Sequence, residues 1–411
     1  MGYLKDTIKG ISWVGAFRVV NRLLVFVKTA VLARLLLPVQ FGVFGIATLA
    51  MGFLEIITET GINVFLVQEN SDIGEYLDTA WVVSIIRGIL ITLLMLASAK
   101  FVAEFFNSPQ SYPVLLVIAL VPFLRGFINP SEIRFQKELR FDKEFWFLSA
   151  SLLADCTISV VFALLTRSVW AFVWGFVAGV VLELILSWLV LKPRPKISFE
   201  WHKAKKVIDR GKWMTGASIF TYLFQNGDNA VVGRLLGAGP LGIYDVAYTI
   251  STLPISEVAD VINRVTFPVF TKLGRDYQRV KDAFTKTFVV SGSLITLAGF
   301  FIFIFAREIV FIVLGPNWAA AVPVIKVLSI IGVLRGITGI VMALFLAVNK
   351  QEYVTAVTTL GIIGLFIPII PLTLKYGLIG TGIAVIIGSL IPLPLVAFYT
   401  RKIFVGLKQE K

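Results

Sequence analysis

Apolar residues run along this chain in long blocks separated by short polar breaks, and the length of the blocks sets the reading. A helix that crosses a bilayer needs roughly 20 predominantly apolar residues. Twelve blocks meet that requirement, at about 11–36, 40–67, 79–103, 112–130, 145–166, 168–191, 213–237, 240–265, 285–306, 322–348, 352–374 and 377–400. Between the ninth and tenth lies REIVFIVLGPNWAAA (307–321), short and interrupted by Gly-Pro-Asn, which predicts a re-entrant or interfacial turn. The pattern predicts an all-α, polytopic membrane protein of about 12 transmembrane helices.

Composition agrees. Of 411 residues 57% are hydrophobic, and the mean hydropathy is +0.87. A soluble domain averages roughly 45–50% apolar, so the excess has to face lipid. The first block follows Lys5 and Lys9 but outruns the core of a signal peptide, and is expected to be a span rather than a cleaved leader. A single cysteine, Cys156, and a single histidine, His202, leave no internal disulfide and no multi-histidine metal site to expect. Cys156 falls in an apolar block and His202 in a basic loop, so a Cys-His nucleophile pair is not expected either. No cofactor is expected, and no nucleic-acid partner.

The net charge of +13 acquires meaning from its distribution. With the N-terminus placed inside, the inner segments carry 24 Lys and Arg, including Arg134, Lys137, Arg140 and Lys143 and the basic stretch KPRPKISFEWHKAKKVIDRGK (192–212). The outer segments carry 4: Lys100, Arg167, Arg307 and Lys375. Positive charge marks the cytoplasmic side, so both termini are expected there. The acidic inner segment 68–78 (QENSDIGEYLD) is discordant in sign, but acidic residues count little in this rule.

The sequence also repeats at an offset of 200. LARLL (32–36) matches VGRLL (232–236), aligning Arg34 with Arg234; Gly42 matches Gly242, Ala47 matches Ala247, and Trp13 matches Trp213. Six spans separate the copies, so both enter the membrane in one orientation, as parallel repeats do around a substrate path. This predicts an N-terminal six-helix lobe (1–191), a basic cytoplasmic linker (192–212) and a C-terminal six-helix lobe (213–411), around a central cavity.

Apart from Lys100 and Lys286, counted above with the outer and inner segments, ten Lys or Arg fall inside the blocks. Each charge at mid-bilayer costs roughly 2.5–3.5 kcal/mol on insertion scales, so these groups must face protein or water. On the first span, Arg18, Asn21, Arg22 and Lys28 share an arc of about 120°. With Arg87 and Arg125 in the same lobe, they form the expected cationic cavity lining; internal ion pairs with Glu55, Glu59, Asp155 or Glu183 are the structural alternative. Other polar seams comprise Thr48, Glu55 and Glu59; Thr221, Tyr222, Gln225, Asp228 and Asn229; and Asp245, Thr249, Thr252, Ser256, Asp260 and Asn263, where Pro254 is expected to kink the helix. Glu55, Glu59, Gln225, Asp228, Asn229, Asp245 and Asp260 are thus the candidates for facing sugars or for coupling. With no histidine in any span, coupling to a proton or sodium gradient would use a carboxylate.

At four stretches the chain resembles a known group: LARLLLPVQFGVFGIATLAMGFLEIITETGINVFLVQ (32–68), RFQKELRF (134–141), LLGAGPLGIYDVAYTISTLPISEVADVINRVTFPVFTKL (235–273) and LGPNWAAAVPVIKVLSIIGVLRG (314–336). They are similar to the oligosaccharide flippases of the multidrug/oligosaccharidyl-lipid/polysaccharide exporter superfamily, in particular its exopolysaccharide and O-antigen repeat-unit exporters. The resemblance implies alternating access in a bacterial or archaeal cytoplasmic membrane. It implies a substrate of undecaprenyl pyrophosphate carrying a sugar unit, membrane lipids around the protein, and a polysaccharide polymerase and export machinery as partners. Some relatives have fourteen spans. A diphosphate would suit Arg18, Arg22, Lys28, Arg87 and Arg125. Two other readings stay open here: a cation-coupled multidrug exporter, which would favour an acidic cavity, and a membrane polysaccharide polymerase, which would need a larger outer loop than the roughly 15 residues present. A carrier, not an enzyme, is the expectation.

Overall fold

The computed structural model describes the backbone of residues 2–59, 61–62, 66, 74–273 and 277–409, and side chains other than those of 1–12, 14, 60, 63–65, 67–73, 206–217, 253, 256–269, 271–277 and 406–411. Ser256, Asp260 and Asn263 therefore lie, with their side chains, outside the described residues, as does Trp213. Among the described residues all regular structure is helical. Contacts divide the chain into two units, Met1–Ala230 with Gly237–Gly239, and Val231–Leu236 with Pro240–Lys411.

The first unit holds α1 (Gly2–Leu35), α2 (Pro38–Ile57), α3 (Gly74–Phe105), α4 (Ser111–Gly126), α5 (Phe141–Thr166), α6 (Trp170–Val190) and most of α7 (Trp201–Leu236). The second unit holds α8 (Ala238–Leu273, from Pro240 on), α9 (Tyr277–Ile304), α10 (Ala321–Ala347), α11 (Gln351–Leu390) and α12 (Leu393–Gln409). Among the described residues seven helical segments are long and apolar enough to cross a membrane, or eight when the bent α4 segment counts as one. The chain is an all-α polytopic membrane protein.

Each break has a local cause. Helix α2 stops at Ile57, ten residues before the apolar block ends, where Thr58 turns out of the helix and Gly61 takes φ +64°. Within α4 the ladder slips at Ala119, because Pro122 cannot donate to the Ile118 carbonyl. The Thr92 hydroxyl of α3 donates to the Ala119 carbonyl at 2.9 Å. The chain then bends by 63° into the short helical segment Pro130–Lys137, capped by Asn129, whose Oδ1 accepts from the Ser131 amide at 3.0 Å. Sequence patterning assigns 131–144 to a basic loop; five to eight residues of helix are too few to show as an apolar block.

In the second unit α8 runs unbroken through Pro254. The segment expected to turn back, 307–321, forms a helical turn (Ala306–Ile309), a wide turn (Val310–Leu314), Gly315 at φ +96°, and the 3-10 turn Pro316–Trp318, with Trp318 wholly buried. Helix α11 contains one non-helical residue, Gly377 (φ +60°, ψ −138°), at the break the apolar pattern places between 374 and 377. Thr373 and Thr381 bridge that break through a 2.8 Å hydroxyl contact.

The repeat continues beyond the register found in sequence. SYPVLLVIALVPFLRG (111–126) aligns with AVPVIKVLSIIGVLRG (321–336) at an offset of 210, matching Pro113 with Pro323, Arg125 with Arg335 and Gly126 with Gly336. The packing agrees: a Cβ on Gly126 would meet Ile85 at 3.1 Å, and one on Gly336 would meet Ile295 at 3.1 Å, which is the same offset. Ten extra residues between the second and third helices of the second unit shift the register.

Candidate functional site in the first unit

Inside the first unit a cavity of about 260 Å³ lies between the C-terminal ends of α2 and α4, the middle of α3 and the C-terminal half of α6, beside the bend at 127–132. Its wall includes four carboxylates, Glu55, Glu59, Glu132 and Glu183, and two guanidinium groups, Arg87 and Arg125. Glycines bring the helices close enough to form it. A Cβ on Gly88 would stand 2.5 Å from the Pro122 carbonyl, and one on Gly126 would stand 3.0 Å from that of Ser84. Small residues allow such approaches in membrane bundles.

The cations in this wall are engaged. Arg125 Nη1 bonds Glu55 Oε1 at 2.9 Å, and its guanidinium lies 5.4 Å from the centre of the Phe176 ring. Arg87 Nη2 donates to the Glu55 main-chain carbonyl at 2.6 Å, and its Nε donates to the Thr58 hydroxyl at 3.3 Å. Arg87 thereby supplies donors to α2 just where that helix ends and its last carbonyls lack intrahelical partners.

The remaining expected cavity bases are placed elsewhere. Lys28 does not line this cavity: its ammonium sits 2.7 Å from both Asp155 oxygens, which ties α1 to α5. Both side chains are largely buried, at 13% and 16% exposure, and Ser159 adds a 3.1 Å bond to Asp155 Oδ1. Gly175 and Gly179 of α6 close over this pair, with no room for a side chain: a Cβ on Gly175 would fall 1.8 Å from Ser159 Oγ. Arg18 is half-buried and Arg22 exposed on α1; neither is part of the cavity wall. Of Arg18, Arg22, Lys28, Arg87 and Arg125, the wall of this cavity holds Arg87 and Arg125. The structure brings Arg87 and Arg125 together and surrounds them with more carboxylates than there are cations. A helical wheel shows which groups share a face, but not that a counter-charge 127 residues away meets one of them.

The polar seams divide likewise. Glu55 and Glu59 both line the cavity. On α7, Gln225 is exposed, while Asp228 is 2% exposed and its Oδ1 accepts from the Asn229 amide at 3.0 Å. Asn229 carries a buried Oδ1 with no hydrogen-bond partner among the described residues. Asp245 is exposed on α8. Glu132 joins the site although sequence reading passes over it, because it sits in a segment dominated by Arg and Lys. Glu183 announces itself as a carboxylate inside WAFVWGFVAGVVLELILSWLV, and sequence reading takes it only as an ion-pair partner. Among the described residues no cluster of three or more His, Cys, Asp and Glu has the arrangement of a metal site.

The model of one family, described as "Polysaccharide biosynthesis protein", matches residues 31–323, most of the chain and all of the cavity wall. The chain belongs to this family. Relatives include the lipopolysaccharide biosynthesis protein WzxC of Escherichia coli, 25% identical over 354 residues, covering 86% of this chain and 72% of WzxC. The teichuronic acid biosynthesis protein TuaB of Bacillus subtilis is 24% identical over 337 residues, covering 80% of this chain and 69% of TuaB. Among solved structures, the lipid II flippase MurJ in an inward closed conformation matches with a TM-score of 0.75 at 14% identity, over 95% of this chain and 89% of its own. An inward-facing multidrug-resistance MATE transporter of the MOP superfamily matches with a TM-score of 0.69 at 15% identity, over 95% and 96%. These likenesses establish the transporter fold of this polysaccharide-biosynthesis family member.

Proposed function

We propose that this protein flips lipid-linked oligosaccharide units, sugars on undecaprenyl pyrophosphate, across the cytoplasmic membrane by alternating access, for the synthesis of a cell-surface polysaccharide. The observation that carries this reading is a polysaccharide-biosynthesis membrane fold whose ionisable residues collect inside a helix bundle around a polar cavity. Charge placed there costs too much to serve lipid contact and suits a hydrated path for a polar cargo. The relatives point the same way: the E. coli and B. subtilis proteins are named for lipopolysaccharide and teichuronic acid biosynthesis, and a structural neighbour is a lipid II flippase.

Arg18 and Arg22, which share a face of α1 with Lys28, are the proposed contacts for an anionic headgroup, since a diphosphate suits guanidinium donors. Asn229, with its orphaned amide oxygen, suits a sugar hydroxyl, since a buried acceptor calls for a donor. Asp228 and Asp245 remain proposed coupling carboxylates. The Lys and Arg distribution supports both termini on the cytoplasmic side. The protein acts as a carrier, with polymerase and export proteins downstream.

The test is uptake of labelled lipid-linked oligosaccharide into vesicles containing the purified protein. Arg22→Gln is expected to lower uptake at least tenfold without loss of thermal stability, and normal uptake by this variant would remove Arg22 from the path. A second reading draws on the excess of carboxylates over cations in the cavity: a cation-coupled exporter of cationic compounds. Extrusion of a fluorescent cation by the same vesicles, with no flipping, would favour it.

A further inference from the structure

The second unit contains a groove of about 440 Å³ between α9, α10 and α12. Phe284 and Phe288 wall it from α9, Val341 from α10, and Val396, Ala397 and Phe404 from α12. It lies at the start of α9, toward the end of α10 and along α12, at the side that the Lys and Arg distribution assigns to the cytoplasm. Its mouth is open, since Phe288, Ala397 and Arg401 are exposed. Two hydroxyls of the wall are taken by their own helices: Thr338 donates to the Leu334 carbonyl at 2.8 Å, and Thr400 to the Val396 carbonyl at 2.7 Å. The guanidinium of Arg401, also in the wall, has no hydrogen-bond or ion-pair partner among the described residues, and none of those residues brings a carboxylate to the groove.

Positive charge collects around the mouth. Lys402 follows Arg401, and its ammonium lies 5.8 Å from the centre of the Tyr353 ring, which stacks on Tyr399 at 3.9 Å. Tyrosines beside cations are typical of the depth where lipid headgroups begin. Lys281 stands one turn before Phe284 on the same face of α9. The neighbouring acids are occupied: Asp282 accepts from Gln278 at 3.2 Å, and Glu352 pairs with Lys350 at 3.6 Å.

The repeat shows how the first unit treats the matching place. At the offset of 210, Phe288 corresponds to Asp78 and Val341 to Ser131. In the first unit these two residues hold a stretch of chain that is not helical: Asp78 Oδ1 accepts from the Lys196 amide at 2.8 Å, and Ser131 Oγ donates to the Pro193 carbonyl at 2.7 Å. The second unit replaces both polar groups with hydrocarbon and leaves the place open. The same exchange runs deeper, since the repeat registers match Glu55 with Ile255, Arg87 with Leu297 and Glu132 with Met342. Ile255 is packed there: it is the nearest neighbour a Cβ on Gly332 would meet, at 2.7 Å. An occupant that suits the groove is elongated like a chain segment, lacks hydrogen-bonding groups along its length, and carries negative charge at one end.

We propose that the groove holds one acyl chain of an anionic phospholipid, with the phosphate on Arg401. Within a bilayer, hydrocarbon gains little by leaving lipid for an apolar wall, so the chain alone gives no strong preference. Selectivity comes from the phosphate, whose oxygens accept from a guanidinium that the protein leaves unanswered. Lys402 adds to the attraction for a negative headgroup. The lipid bridges α9, α10 and α12, much as residues 193–196 bridge α3 and the bend at 127–132 in the first unit. None of this rests on the flippase reading.

The experiment is native mass spectrometry of the full chain, delipidated in detergent and titrated with phosphatidylglycerol or with phosphatidylcholine. The wild type is expected to retain one phosphatidylglycerol roughly fivefold more tightly than phosphatidylcholine, which is the effect of about one cation at a membrane surface. Arg401→Gln should abolish that preference, and Ala397→Trp should weaken both lipids by filling the groove. Lys143→Gln, which removes an exposed cation of the first unit, should leave the preference unchanged. Phosphatidylglycerol with a photoreactive acyl chain should label the segments 284–288 and 396–404. Equal affinity for the two lipids, a preference that survives in Arg401→Gln, or labelling outside α9, α10 and α12 overturns the proposal. Displacement of the label by equimolar undecaprenyl phosphate overturns it too, by giving the groove to a prenyl carrier, as does a lipid-free dimer that shields these segments. Thermal midpoints identify a variant that fails to fold, and labelling of the wild type then decides.

Discussion

Lys28 and Asp155 separate structural charge from functional charge most sharply. The Nζ atom lies 2.7 Å from both carboxylate oxygens, with the two side chains 13% and 16% exposed. At an effective dielectric of about 20, two unit charges at that distance attract by about 6 kcal/mol, against which stands the cost of desolvating both. Removing one partner leaves the other buried and uncompensated, at about 3–5 kcal/mol. Lys28→Met and Asp155→Leu are therefore each expected to lower the thermal midpoint by roughly 6–20 °C, at about 2–4 °C per kcal/mol for a unit of this size. The double variant removes both charges and fills the space with side chains of similar bulk, which is often neutral or better for a buried pair. It also strips Ser159 of its 3.1 Å acceptor, for about 1 kcal/mol. It should recover most of the lost midpoint and, normalised to folded protein, the transport rate. The assay is a thermal melt in detergent paired with vesicle uptake. A stable double variant that does not transport would show that the Lys28 charge serves the cargo; single variants as stable as wild type would refute the ion-pair argument.

Further outcomes follow from neighbouring contacts. Gly175→Ala forces a methyl into the Ser159 hydroxyl and the Asp155 carbonyl, and is expected to cost about 1–3 kcal/mol, read as a lower midpoint. Gly377→Ala has open space around the new Cβ but needs φ +60°, so a loss of roughly 1–2 kcal/mol should come from backbone strain alone, with Gly377→Asn milder. Glu55→Gln keeps an acceptor for Arg125 while removing the charge, and should change the stability by less than about 1 kcal/mol, read as a nearly unchanged midpoint. A cysteine at exposed Ser198, in a Cys156→Ser background, should resist an impermeant thiol reagent in intact cells; labelling from outside would reverse the orientation.

Much of the architecture is legible in the apolar pattern because lipid imposes one simple requirement, length. The gap between 374 and 377 coincides with the Gly377 break, and the Gly-Pro-Asn interruption coincides with the turn around Gly315. The pattern fails where length is not the criterion. Thr58 ends α2 inside an apolar block, and Pro130–Lys137 is helical inside a polar one. The site was only half visible. Periodicity can place Arg22 and Lys28 on one face, but pairing Lys28 with Asp155, or Arg125 with Glu55 seventy positions earlier, depends on how the helices assemble. Glu132 was hidden by its basic neighbours, and the Arg125–Arg335 correspondence by a ten-residue change of register.

That correspondence also supplies an internal control. One half of the chain builds the junction of its second, third and fourth helices with glutamates and arginine, and the other half builds the matching junction around Ile255. The two copies already differ by the exchange of charge and hydrocarbon that an experimenter would design, and the hydrocarbon copy packs. Transplanting Ile255, Leu297 and Met342 onto positions 55, 87 and 132 is then a swap between two tested solutions of one packing problem. Whatever activity disappears with it can be assigned to the charges themselves, apart from the scaffold that holds them.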